Sequence, residues 1–266
     1  MKKITLLLSL ISVFVLGTGC SSINKAAWKA IGKDGDTIML ELGEAQQEMS
    51  KAQDKALEAL GKKEEIADNE ETFEGTTKTF SQENAANLKE RSVIIGEKNK
   101  RINEALAENP KLDAEAKLLM GEANLLMASA TMKMVKNTAE TVAVCIGIKE
   151  LWDSGNQLQK GVAAALVPPA VTMASFVMKD MKESSKTVKT LRKYGQENGV
   201  PNSEPNDELD ASLTSLDSTP TDGLPTEADA KKSAEEEKVE EEKTEEDKEE
   251  GLEKKKKGFL GGLLGK

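Results

Sequence analysis

One stretch limits the fold of this chain more than any other. From Leu118 to Ile146, nine positions spaced alternately three and four apart are apolar or small: Leu118, Gly121, Leu125, Ala128, Met132, Val135, Ala139, Val142 and Ile146. That period runs along one side of a helix and predicts a seam of about 42 Å at 1.5 Å per residue. Met120, Met127 and Met134 form a second row beside it. The helix is therefore apolar over a wide arc and is expected to be central. A methionine row also suits adaptable ligand binding or copper, but with no histidine and 2 cysteines the chain has no ligand set for a metal.

The rest of the chain supplies partners for that helix. Asn109 and Pro110 predict its start, as capping residue and first helical residue, and it is expected to end near Trp152. An earlier helix is predicted over 36–61, with Asp36 as cap, Gly61 as stop and a seam of Ile38, Leu42, Ala45, Met49, Ala52, Ala56 and Ala59. A second helix is predicted over 77–108 on Leu88, Ile95, Ile102 and Leu106. Ser92 and Asn99 interrupt that face, so this helix is expected at the edge of the bundle. Asn99 is then an exposed polar position; the other reading is a polar seam residue that sets register. A fourth helical segment follows the turn Asp153–Asn156 and is expected to stop at Gly195, with a seam of Ala170, Ala174, Val177, Met181, Ser184, Val188 and Leu191. Its upper part, 161–178, carries no charge and is broken by Pro168 and Pro169. A kinked helix buried at one end of the bundle is expected there; an apolar tip that meets a membrane or partner is the alternative. The fold class is all-α: an antiparallel helical bundle or elongated coiled coil with a disordered acidic C-terminal tail. An aromatic content of 3% fits helices better than sheets.

Charge divides the chain. Residues 20–195 hold 26 acidic and 25 basic side chains, net -1, whereas 196–266 hold 21 and 10, net -11. Pro201, Pro205, Pro220 and Pro225 lie among Ser, Thr, Asn and Asp, so 196–253 is expected to be a disordered acidic linker. Within 227–257, supporting and repelling i,i+4 charge pairs roughly cancel, and any helix there is expected to be marginal. The last segment, 254–266, sets Lys254, Lys255, Lys256 and Lys257 beside Phe259, Leu260, Leu263 and Leu264. A cationic cluster next to apolar residues suits weak contact with a membrane surface or a partner.

The first residues give a destination. Lys2 and Lys3 precede an uncharged apolar run, Ile4 to Leu16, which is too short to span a bilayer and reads as a secretory signal over 1–19. Gly17, Thr18 and Gly19 lead to Cys20. This resembles the lipobox of bacterial lipoproteins, with Gly17 where that family usually has Leu. The resemblance implies cleavage before Cys20, diacylation of its thiol, and acylation of the new amine. Ser21 in place of Asp at the second position resembles an outer-membrane signal. Residues 20–35 are then a lipidated tether, in which Trp28 suits either the lipid interface or the body, and 36–195 are the bundle. An N-terminal lipid, a helical body and a terminal Lys266 are similar in order to the murein lipoprotein, which implies possible attachment to peptidoglycan. Cys145, in an apolar run, is expected to be a small core residue.

No general base, phosphate loop or metal cluster is evident, so no catalytic residue and no cofactor is expected. A nucleic-acid partner lacks a basic stripe and stacking aromatics. The expected function is a non-enzymatic, membrane-tethered envelope lipoprotein with a structural or partner-binding role. Its partner is an envelope protein or peptidoglycan, and it is a possible homo-oligomer. The alternatives are a membrane-active or pore-forming helical protein, and a periplasmic lipid or small-molecule carrier.

Overall fold

The computed structural model describes residues 27–63, 72–73 and 78–235. The helices are α1 (Gly35–Ala59), α2 (Gln82–Ala107), α3 (Ala114–Ser154), α4 (Gln157–Ala164), α5 (Val167–Asn198) and α6 (Asp207–Asp217). A short helical turn, 27–31, precedes them, another helical stretch, 227–235, follows, and no strand occurs among the described residues. The fold is an all-α bundle, as the seams predict. In it α3 packs against α1 and α5, and α2 packs against the same two from the other side.

Side-chain pairs give the helix directions. Lys55 meets Glu122, Lys133 meets Glu48 and Lys136 meets Glu41, so α1 and α3 are antiparallel. Cys145 contacts Ala170 while Asn124 lies beside Gly195, so α3 and α5 are antiparallel too. Gln46 reaches Leu88 and Gln53 reaches Ile95, whereas Gln82 reaches Thr172 and Asn103 reaches Thr187. Hence α1, α2 and α5 run parallel to one another. So α1 ends at the opposite end of the bundle from the one where α2 begins. "Upper" below means the end that carries Trp28.

The seam of α1 is buried throughout, and Gly61 ends that helix with a positive φ. Its cap is Asp34 rather than Asp36; the Asp36 carboxylate instead accepts the amide of Phe80 at 2.7 Å and ties α1 to the entry of α2. The α2 cap is Ser81. Asn109 and Pro110 do not start α3. Asn109 takes a left-handed conformation and the Pro110 carbonyl accepts the Tyr194 hydroxyl, so the helix begins after Asp113, whose carboxylate accepts the Ala116 amide. Asn156 caps α4 in a reciprocal box with Gln159. Pro168 and Pro169 fall in the first turn of α5, where their missing amides cost no helix hydrogen bond. The break comes before them, and the large apolar residues Leu166, Val167, Met173 and Phe176 of 161–178 are buried in the core. The α5 seam is buried as expected, with Ala174 partly so. That helix passes Gly195 and stops at Gly199, whose φ of 65° a side chain would disfavour.

The largest correction concerns which way α3 faces. Leu118 and Leu125 are 63% and 59% exposed, while Met120, Met127 and Met134 are buried. The nine-residue line therefore straddles the edge of the buried face: Gly121, Ala128, Val135 and Val142 are buried, Leu118 and Leu125 are exposed, and Met132, Ala139 and Ile146 are only partly buried, so the fully buried methionine row is the core seam. The wide apolar arc has a further cause in α6. Its Leu209, Leu213 and Leu216 are buried and share a cluster with Ala128 and Val135 of α3.

That contact corrects the tail. Residues 200–235 were expected to be disordered, yet Val200 and Ser203 are buried and Asn206 caps α6 through the Leu209 amide. Leu224 and Ala230 pack on the upper cluster. Three leucines at helical spacing outweigh the polar composition around them. The tether is corrected as well. Trp28 is buried edge-on to Phe80, with ring centroids 5.4 Å apart. The indole lies where a side chain at Gly35 would stand, 2.6 Å from an added Cβ. Packing against the body therefore already includes Ala27 and Trp28, ahead of residue 36.

Candidate functional site

Cys20, Lys254, Lys255, Lys256, Lys257, Phe259, Leu260, Leu263 and Leu264 lie outside the described residues, as does Lys266. The points where those segments join the body are described. Ala27 and Trp28 belong to the upper cluster, and so do Leu224 and Ala230. The two ends of the chain thus leave the body in the same region.

Between them runs an open groove of about 710 Å³. Its floor is the outer face of α3, at Ala139, Ala143 and Ile146. One wall is the N-terminal turn, through Ala30 and Ile31. The other is the end of α6, through Ser215, Ser218 and Pro220. Lys33 and Glu150 stand among the lining residues. The groove exists because the floor side chains are small and because α6 and the N-terminal turn flank α3 without meeting over it. Leu125 lies about five turns below Ala143 on the same face of a 3.6-residue helix, with Lys136 exposed between them. Such a surface offers small apolar floor positions with Lys33, Glu150 and several hydroxyl side chains around them. Sequence reading placed Ala139 in a seam but missed the groove. The available signal was the four-residue spacing of Ala139, Ala143 and Gly147, which is silent about what flanks it.

The methionine row is not a ligand surface, since it fills the core between helices. Cys145 is fully buried and its thiol faces the Ala170 carbonyl at 3.5 Å. Burial pushes its pKa up to about 12, so it stays a protonated core residue near neutrality, as expected. Among the described residues, no three His, Cys, Asp or Glu side chains gather where they could hold a metal ion.

A second feature is a polar ladder between the parallel helices. The Gln53 amide donates to the Ile95 carbonyl at 3.0 Å and to the Asn99 side chain at 2.8 Å. Asn99 in turn donates to Ser184 of α5 at 3.0 Å. Asn99 is 4% exposed, so the edge reading of this position is overturned: it joins three helices inside the bundle. Lys98 is buried, donates to Ser50 at 2.8 Å and pairs with Asp54 at 2.6 Å. A ladder of this kind makes one register of parallel helices better than its neighbours, because a slip would bury unpaired amides. Asp180 of α5 is held above the usual carboxylate pKa chiefly by burial, partly offset by the Ser92 hydroxyl.

The segment after α6 is held by a pH-sensitive clasp. Lys149 donates to Asp153 at 2.9 Å and to Asp229 at 3.0 Å, and these hydrogen bonds raise its pKa. Burial pushes the Asp229 carboxyl up, but the Thr226 amide, Lys149 and the Thr226 hydroxyl together hold it below the usual value. A carboxylate lowered in the fold stabilises above its unfolded pKa of about 3.9, and that contribution disappears as pH falls through the folded value. Asp180 has the opposite sign, because its ionisation opposes the fold. Hydrogen exchange at about pH 6 and about pH 3 is therefore expected to show 224–235 losing protection before the Asp180 region of α5. Equal loss in both would remove the clasp from the account.

No protein-family model, no curated protein and no solved structure matches this chain. Its function has to be argued from its own residues.

Proposed function

We propose that this chain is a non-enzymatic envelope lipoprotein, held to a membrane by acylated Cys20 and acting as a structural or partner-binding body. The observation that supports the reading most is the position of the packed body directly behind the lipobox-like residues. Only residues 21–26 separate Cys20 from Ala27. Fully extended they reach about 20 Å, so an acylated Cys20 would hold the upper end of the bundle close to the bilayer. Two or three acyl chains suffice for stable anchoring. The burial of 161–178 in the bundle favours this reading over an inserting tip, and no helix among the described residues is long and apolar enough to cross a membrane.

The tail contributes less reach than a wholly flexible linker would. Taken as a flexible chain, 236–253 spans roughly 20–25 Å, because 200–235 is packed on the body. A partner would have to approach the body closely.

Intact mass and membrane fractionation of the native protein beside Cys20→Ser test the anchor. The expected result is loss of residues 1–19, added acyl mass and membrane retention, with Cys20→Ser released to the soluble fraction. An unacylated, soluble wild-type protein would sink the proposal.

A further inference from the structure

We infer that the C-terminal segment 254–266 docks in this chain's own groove on the outer face of α3. Three observations point to that occupant. The first is chemistry. The groove floor is apolar and small, at Ala139 and Ala143, which leaves room for larger side chains. Phe259, Leu260, Leu263 and Leu264 are spaced so that about one and a half helical turns would place all four within one wide face.

The second is charge. From Glu204 to Ala230, the stretch that forms one wall of the groove and its flanks, the chain has acidic residues but no Lys or Arg. Asp217 and Asp222, exposed beside the lining residues Ser218 and Pro220, are the nearest of them, and Glu150 of α3 lines the groove itself. Lys254–Lys257 immediately precede the apolar residues and supply the complementary charge. Lys33, on the opposite wall, favours seating the cationic end toward α6.

The third is reach. Pro220 lines the groove, Gly223 approaches Ile146, and Asp229 is clasped to Lys149 of α3. The chain therefore leaves the described body beside the groove. Residues 236–253, as a flexible connection of roughly 20–25 Å, return its end to the floor without strain. Intramolecular docking needs little intrinsic affinity, since a short flexible linker sets an effective concentration in the millimolar range. This docking needs no lipid, so it and the anchor fail in separate experiments.

The test is disulfide trapping in the full chain carrying Cys20→Ser. Ala143→Cys is combined with Leu263→Cys and oxidised with copper phenanthroline. Ser175→Cys with Leu263→Cys is the control, because Ser175 is exposed on the upper half of α5. Ala139→Cys replaces Ala143→Cys if that variant misfolds. The expected result is an intrachain disulfide that forms at least ~10-fold faster at 143 or 139 than at 175, with the advantage reduced at high salt. Equal rates at both sites would mean an undirected tail and would overturn the proposal. Disulfides only between chains would assign the groove to a second copy. Slow trapping, with the segment sedimenting on anionic vesicles instead, would assign it to a lipid surface. Either of these last two results also overturns docking within one chain.

Discussion

Met127→Ala is expected to destabilise the folded chain by about 2–5 kcal/mol. Leu125→Ala, only two residues away, is expected to change stability by less than ~0.5 kcal/mol. Met127 is fully buried in the core cluster, whereas Leu125 is 59% exposed. Truncating the methionine removes buried apolar atoms and leaves a void that a four-sided bundle closes only in part. Truncating the leucine removes a side chain that already faces water. Urea denaturation of the two variants decides the matter, read as midpoints at constant slope. The heptad line through Leu118 and Leu125 predicts the reverse order. A larger effect at Leu125 would therefore return α3 to that facing and remove the groove floor from the surface.

The second large effect belongs to the polar ladder. Asn99→Ala is expected to cost about 2–5 kcal/mol, because leaving a buried polar group without its partner costs ~1–3 kcal/mol and two groups are affected. Gln53 would keep the Ile95 carbonyl but lose the Asn99 oxygen, and Ser184 would lose its donor. Asn103→Ala serves as comparison. Asn103 is only half-buried, and water can replace its bond to Thr187, so a change under ~1 kcal/mol is expected. Pairing Asn99→Ala with Gln53→Ala in a double-mutant cycle should give a coupling of about 0.5–3 kcal/mol. Coupling near zero would show that the two amides act independently and that the ladder does not set register.

How much of this was legible in the residues depends on what each signal depends on. The seams of α1 and α5 were readable because their alternating spacing agrees with the face that ends up buried. Gly61 was readable as a stop because its backbone conformation is a local property. The seam of α3 misled because its alternate members straddle the edge of the buried face, so Leu118 and Leu125 fall outside it while Gly121 and Ala128 fall inside. Asn109 and Pro110 misled because the Pro110 carbonyl serves Tyr194, a partner 84 positions away. Asn99 was noticed as an interruption, but its burial depends on Gln53 and Ser184, which no local pattern connects to it. Residues 200–235 were hidden by composition; proline and acidic residues dominate there, while Leu209, Leu213 and Leu216 do the packing. The groove was least legible of all, since it is shaped by neighbours that stop short of one another.

The parallel pairing of α1 with α2 has a consequence for how the chain assembles in time. Among the bundle's four long helices, the neighbours closest in sequence are α3 and α5, joined through α4. Every contact that α1 makes in the bundle waits for segments synthesised later. Its antiparallel partner α3 pairs Glu41 with Lys136 and Lys55 with Glu122, over loops of some 65–95 residues. Closing such loops slows folding relative to a bundle of consecutive hairpins. A nucleus at the α3–α5 hairpin is the economical first step, with α1 joining last. Until it does, Ile38, Leu42, Met49 and Leu57 face solvent, so a chain crossing a membrane with its N-terminus leading would expose this stripe first and shelter it last.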